Sequence, residues 1–187
     1  MNDTLRVIGE RYSCRAFDGK LPEKEKLEAI ALAAVQAPSA MNRQPWEIIV
    51  ITDKAFIEEM DAAGVRMLEA AEDKSAYERI KSRGGSMFYN APCMFLIPMQ
   101  AVDVSKHYAY MDCGIVSENI AIAAASLGLG SVICGMAEIP LSGPNGGTFK
   151  ERAGFPDGWK FGIAVLVGYA ENAGMPHEPD KSKIHFV

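Results

Sequence analysis

The chain has 187 residues, 49% of them hydrophobic and 23% charged, with a formal net charge of −5. This balance suits a globular protein with a substantial core and is far from the low-hydrophobicity, high-charge composition of disorder. The acidic excess excludes a nucleic-acid or anionic-membrane surface, since either needs a surplus of basic residues.

From the N-terminus, residues 5–10 read as a short helix that hands over to an extended stretch, Arg11-Tyr12-Ser13-Cys14-Arg15-Ala16-Phe17. Alternation along a strand puts Arg11, Ser13 and Arg15 on one face over roughly 13 Å, at ~3.3 Å per residue. A second helix is signalled by Pro22 at its first position, by Glu23 and Glu25 complementing the dipole, and by an apolar stripe of Leu27, Ile30, Ala31, Ala34 and Val35 up to Gln36. Pro38 stops it and opens a polar loop, Pro38-Ser39-Ala40-Met41-Asn42-Arg43-Gln44-Pro45-Trp46, which its prolines keep from being helical throughout. The β-branched run 47–52 follows as a buried strand, so the loop is held between rigid elements. Residues 54–83 have helical spacing and mixed charge and read as a solvated helical pair.

Further strands are expected at 93–97, 131–134 and 161–169. Between the first two, the apolar run 108–127 would reach roughly 30 Å as a helix. Asp112, Ser117, Glu118 and Asn119 interrupt it, which favours a buried helix of a core or subunit interface over a membrane span. Gly128-Leu129-Gly130 either ends that helix or serves a ligand; it lacks the rest of a dinucleotide fingerprint, and there is no Walker loop. Cys14, Cys93, Cys113 and Cys134 form no CxxC pair, and His107, His177 and His185 are scattered. No metal site is expected, and the thiols read as reduced core residues of a cytoplasmic chain with no secretory segment at its start. With no linker, repeat or low-complexity segment, residues 1–187 are expected to form one domain. Alternating helices and strands argue for an α/β or α+β sheet between helical layers.

Four segments in order resemble the FMN-dependent nitroreductase family. They are the Arg-x-Ser-x-Arg-x-Phe pattern at 11–17, the Pro-Ser-x-x-Asn-x-Gln-Pro-Trp pattern at 38–46, Met111-Asp112-Cys113-Gly114-Ile115 running on to 127–135, and Lys181-Ser182-Lys183. The resemblance implies an α+β fold with a central mixed sheet flanked by helices, working as a homodimer with FMN at the subunit interface. The C-terminal tail, about 172–187, would contribute to that site.

It also implies residue roles. Arg11, Ser13, Lys181 and Lys183 would hold the FMN phosphate, where a guanidinium fork and a hydroxyl supply charge-assisted bonds. Arg15 would lie over the pyrimidine end of the ring and stabilise the reduced flavin electrostatically; no other side chain is given a part in the reaction. Asn42 and Gln44 would read the flavin's hydrogen-bonding edge, Ser39 and Met41 would line the partner subunit's site, and Tyr12, Pro38 and Ala40 belong to the same cofactor-binding motifs. The turn Ile133-Cys134-Gly135 would bring main-chain N–H groups near flavin N5. Cys134 stands where many relatives carry an acidic residue, a thiol open to oxidation beside the flavin. Pro45 and Trp46 read as packing.

The implied activity is hydride transfer from NADH or NADPH through flavin N5 to a small acceptor such as a nitroaromatic or quinone. A ping-pong cycle of this kind needs stacking and orientation more than a protein acid or base. Acceptor choice falls to the 60–90 region and the 106–112 approach, with Arg66, Lys74, Lys81 and Arg83 as candidates for a nicotinamide phosphate. The alternatives are a dehalogenase or enoate reductase on the same fold, for whose lids this chain has little room, and a non-catalytic FMN-binding or redox-sensing protein.

Overall fold

The structure, a computed structural model, describes residues 2–100 and 106–187. The side chains of Lys106 and His107, at the start of the expected 106–112 approach, lie outside the described residues.

Four strands, β1 (Ile49–Ile51), β2 (Cys93–Met99), β3 (Gly130–Ile133) and β4 (Lys160–Gly168), form one sheet in the order β1-β2-β4-β3. These strands pair antiparallel throughout. The parallel component of the expected mixed sheet is a single bridge, Ser13 to Ser131, which attaches the 11–17 stretch to the β3 edge.

The period of two in β2 and β4 sorts their side chains into two cores. Met94, Leu96, Ala164 and Leu166 join Phe56, Met60, Phe88 and Phe149 on one face, while Phe95, Ile97, Val165 and Val167 join Ile30, Ala34, Val116 and Ile120 on the other. Helices cover both faces, which is why β2 is apolar at every position although its pairing is antiparallel. Each large side chain fully buried in these layers contributes about 1.5–3 kcal/mol.

The first core is roofed by α3 (Lys54–Ala70), α4 (Ser75–Lys81), α6 (Glu138–Ser142) and α7 (Gly146–Ala153). Asp53 caps α3 by accepting from the Phe56 N–H at 3.1 Å, and Phe56, Ile57, Met60, Ala63 and Gly64 form its buried stripe. Both α6 and α7 escape the periodicity reading, because Pro140, Gly143, Pro144, Gly146 and Gly147 break their apolar pattern.

The second core lies under α2 (Lys24–Val35) and α5 (Lys106–Ser126), with α1 (Asp3–Glu10) against α5. Cys113, Val116, Ile120 and Ala124 give α5 its sheet-facing side. Its polar interruptions are satisfied: Ser117 Oγ donates to the Gly114 carbonyl at 2.8 Å, and Asn119 Nδ2 donates to the Ala33 carbonyl at 2.9 Å, joining α5 to α2. Tyr110, Met111 and Ile115 remain exposed along one side. Among the described residues no helix is long and apolar enough to cross a membrane. Gly128, at φ 74°, ends α5, with the Leu129 N–H donating to the Ala124 carbonyl at 2.9 Å.

Three expectations need correction. Pro22 precedes the cap rather than opening α2, which starts at Lys24; Glu23 accepts instead from the Tyr169 hydroxyl at 2.5 Å. Val35 is exposed, since it lies about 100° round the helix from the buried Ala34. β1 spans three residues rather than 47–52. Before it, pairing to β2 survives only as a Trp46 to Met99 bridge and a Glu47 N–H bond to the Pro98 carbonyl, around a register shift between Ile97 and Pro98. Proline has no N–H to give to a ladder.

Candidate functional site

Residues 11–17 form a strap over one edge of the molecule. Cys14 N–H donates to the Ser131 carbonyl at 2.8 Å, Phe17 N–H to Tyr89 at 3.2 Å, and Glu171 N–H to Ala16 at 3.0 Å. Cys14 and Phe17, each 2% exposed, anchor the strap in the core. A Cβ on Gly130 would lie 2.8 Å from both Cβ and Sγ of Cys14, so bare backbone there lets β3 and the strap close together. With the inward positions taken, Ser13 and Arg15 face outward as the alternation predicts, and Arg11 is half-buried.

Arg11 is the most constrained of the three. Its Nε is buried without a hydrogen-bond partner, and its nearest counter-charge is Glu118 on α5 at 3.5 Å. It lines a cleft of about 280 Å3 with Arg6, Tyr12, Ser126, Gly128 and Ser131. Beyond β4 the chain turns back along the strap: Ala170 bridges Phe17, and Gly174 packs on the Tyr12 ring with no room for a Cβ. A buried guanidinium whose Nε has no hydrogen bond and meets Glu118 only as an ion pair at 3.5 Å, a hydroxyl at Ser13 and a second cation at Arg15 fit an elongated ligand with an anionic end, as a mononucleotide has. Arg15 forms no ion pair with Asp18, whose carboxylate accepts from the Lys20 N–H at 2.8 Å.

The 38–46 loop is shaped differently. Ala40–Asn42 make a 3-10 turn, and Met41, Asn42 and Gln44 have φ of 54°, 52° and 47°, a region that side chains rarely adopt. The loop closes on itself: Gln44 N–H donates to Ser39 Oγ and Gln44 Nε2 to Asn42 Oδ1, both at 2.8 Å. It is tied to the body near both ends: Asp112 of α5, 4% exposed, accepts from the Ala40 N–H at 3.1 Å, and at the far end the Pro45 carbonyl accepts from the Gln100 N–H at 2.8 Å. Pro38, Met41, Asn42 and Gln44 present exposed surfaces, whereas Trp46 is buried, in keeping with its packing role.

Within one chain the two motifs do not meet in a shared cleft. Asp112 and Glu118 are six residues apart on α5, about 9 Å along the axis and 120° round it, and the Arg11 cleft opens farther on at Ser126.

Two further expectations are corrected. Ile133 and Gly135 are exposed, but Cys134 points into the core, and its N–H donates to the Ala164 carbonyl at 2.7 Å. Its amide is therefore used in the sheet, which leaves Gly135 as the next exposed main-chain position. Burial pushes the Cys134 thiol up to about 11, which disfavours its thiolate. By alternation an extended tail would put Lys181 and Lys183 on one face; instead 181–183 is a 3-10 turn capped by Asp180, which turns the two lysines onto different faces. Both are exposed, and Lys183 lies 3.9 Å from Asp180.

Asp112 was visible in the sequence as a polar break in an apolar run and as part of the 111–115 segment, Glu118 only as such a break, yet each reaches a different motif. Asp61 carried no signal; it accepts from the Met87 N–H at 2.8 Å, and burial raises its carboxyl above the usual range. Among the described residues no group of three or more His, Cys, Asp or Glu is placed to hold a metal.

The chain matches the model of the Nitroreductase family over residues 8–169. It is 48% identical to a nitroreductase with bound FMN from Desulfitobacterium hafniense DCB-2, at a TM-score of 0.96 covering 100% of this chain and 99% of that one. A nitroreductase with bound FMN from Bacteroides fragilis NCTC 9343 is 26% identical at a TM-score of 0.88, with both chains covered in full. A relative from Archaeoglobus fulgidus, provisionally named NADH dehydrogenase/NAD(P)H nitroreductase, is 29% identical over 186 residues, 96% of this chain and 92% of its own.

Proposed function

The chain belongs to the nitroreductase family, and from that membership we infer that it is an FMN-dependent oxidoreductase that draws its electrons from NAD(P)H. The observation that carries this reading is its likeness, along its whole length and at 48% identity, to a structure with FMN bound. Bound FMN would supply two-electron chemistry between NAD(P)H and a small acceptor such as a nitroaromatic or a quinone.

The protein's part is binding and orientation. Arg11 and Ser13 would hold the phosphate, with Lys181 and Lys183 brought to it by the tail. Arg15 would sit beside the pyrimidine end of the ring, where a fixed cation favours the negative charge of the reduced state. Ile133 and Gly135 would border the ring from the β3 edge. Because the strap and the loop lie apart in one chain, the site would be completed in a homodimer, with Pro38, Ser39, Ala40, Met41, Asn42 and Gln44 supplied across the interface. The exposed apolar side of α5 supports this pairing. One 1–187 domain would carry the whole half-site, tail included. Donor and acceptor would occupy the same ring face in turn, a ping-pong order.

The purified protein should be yellow, release FMN rather than FAD, bleach with NADH or NADPH without oxygen, and regain colour with a nitroaromatic. Protein that is colourless and cannot be reconstituted overturns the reading. Parallel initial-velocity lines are expected for the ping-pong order. Size-exclusion chromatography should show about twice 20.3 kDa. Co-expressed Arg11→Ala and Asn42→Ala chains should recover one intact site per mixed dimer; no recovery would place both motifs in one chain's site.

A further inference from the structure

Among the described residues, non-glycine backbone with positive φ occurs in two places: the motif loop, and Tyr89 and Asn90, at 55° and 60°, in a turn that no motif covers. Strain of this kind persists where the surroundings over-determine it, and it collects at ligand sites. The 86–90 turn is held in that way. Asp61 accepts from Met87 N–H at 2.8 Å, Ser86 Oγ accepts from the Phe88 and Tyr89 N–H groups at 3.1 and 2.8 Å, and Asn90 Nδ2 donates to the Phe17 carbonyl at 3.1 Å. The last bond ties the turn to the end of the strap.

Between turn and strap lies a cleft of about 280 Å3, lined by Arg83, Tyr89 and Asn90 from one side, Arg15 and Asp18 from the strap, and Glu171. Both arginines are exposed, and among the described residues neither side chain has a hydrogen bond or ion pair, although two carboxylates line the same cleft. Of the four candidates Arg66, Lys74, Lys81 and Arg83, Arg83 is the one that shares a cleft with the strap. Arg66 lies in a separate groove beside Phe149, Lys74 is bonded to the Glu69 carbonyl, and Lys81 lies over the Tyr77 ring at 5.7 Å.

Resting on the reading of Arg15 as the cation beside the flavin ring, we propose that Arg83 and the strained 86–90 turn form a carboxylate-binding subsite for a planar aromatic acceptor. A guanidinium fork matches a carboxylate in two parallel bonds, and the Tyr89 ring offers an apolar flank to the aromatic body. Asp18 and Glu171 decide between anions: they would repel a phosphate dianion more than a carboxylate of single charge.

The test compares 4-nitrobenzoate with nitrobenzene in the FMN-loaded protein. Arg83→Ala should raise the ratio of their KM values about tenfold or more, and Arg83→Glu should turn the preference toward 4-nitrobenzylamine. An unchanged ratio in both variants overturns the proposal. A change in the NADPH to NADH ratio without a change in the acceptor ratio also overturns it, and assigns Arg83 to the donor's phosphate. Calorimetric titration with benzoate repeats the comparison without turnover: affinity should fall about tenfold in Arg83→Ala, and equal affinity counts against the subsite. Protein that takes up no FMN but binds benzoate through Arg83 would keep the subsite and overturn the cofactor reading.

Discussion

Residues 11–17 and 38–46 present comparable polar side chains, but the strap takes its shape from the sheet, whereas the loop is held against its own backbone preference. The strap shares main-chain bonds with β3, the 86–90 turn and the chain beyond β4, and Cys14 and Phe17 lock it from beneath. The loop has three residues of positive φ and bonds among its own side chains; one buried carboxylate from α5 holds its start, and main-chain pairing reaches only its end at Pro45 and Trp46. Outward residues of the strap should therefore be replaceable without loss of fold, and its inward contacts should not. The loop should depend instead on Asp112, 72 positions from the residue it holds.

The largest expected effect breaks the strap from beneath. Gly130→Ala forces a Cβ against Cys14 and should lower stability by about 2–3 kcal/mol in denaturant unfolding; a loss below about 0.5 kcal/mol would mean the strap is loosely held. At the head of the strap, Arg11→Ala should cost ~1.5–3 kcal/mol in FMN affinity, read by flavin fluorescence titration, with a smaller change in unfolding. Equal affinity would remove Arg11 from the phosphate site.

For the loop, Asp112→Ala should cost about 1–2 kcal/mol of stability and speed amide exchange at Ala40, and Asp112→Asn, which keeps an acceptor, should recover most of both. If Asn recovers nothing, the loop is not held through that bond. Met41→Gly relieves a left-handed residue that is 74% exposed and should gain up to about 1 kcal/mol, less the extra freedom of glycine in the unfolded chain.

The smallest effect concerns the turn that supports the strap. Burial raises the Asp61 carboxyl, so the native state holds that proton more tightly than the unfolded chain does. Stability should fall as pH rises from the ordinary carboxylate range through the raised value, by no more than about 1 kcal/mol for a group that keeps some solvent screening. Unfolding of Asp61→Asn followed against pH should lack this fall; an identical slope in both proteins would exclude Asp61 as its source.

Much of the strap was legible because a period of two needs only one buried partner to become a fixed orientation. Once Cys14 goes in, Ser13 and Arg15 on either side of it face out, whereas Phe17, three residues on and also buried, departs from the alternation. The helical stripes of α2 and α3 and the buried run of β2 follow from the same rule, in which local spacing and burial agree. The C-terminal lysines were misread because Asp180 caps Ser182 and curls the segment, a local polar bond that alternation does not register. Cys134 was read together with the turn it belongs to; its own side chain goes into the core, away from the exposed Ile133 and Gly135.

The sequence by itself determined most of the strands and the longer helices, though not α6, α7 or the extent of β1, and through its four motifs the family, because these depend on residues close together in the chain. Tertiary structure alone decided that Asp112 holds one motif while Glu118 faces the other, that Gly130 must be bare for Cys14, and that Arg83 joins Arg15 in one cleft. Those relations connect residues tens of positions apart, and they come into being only when the sheet and α5 bring their carriers into contact.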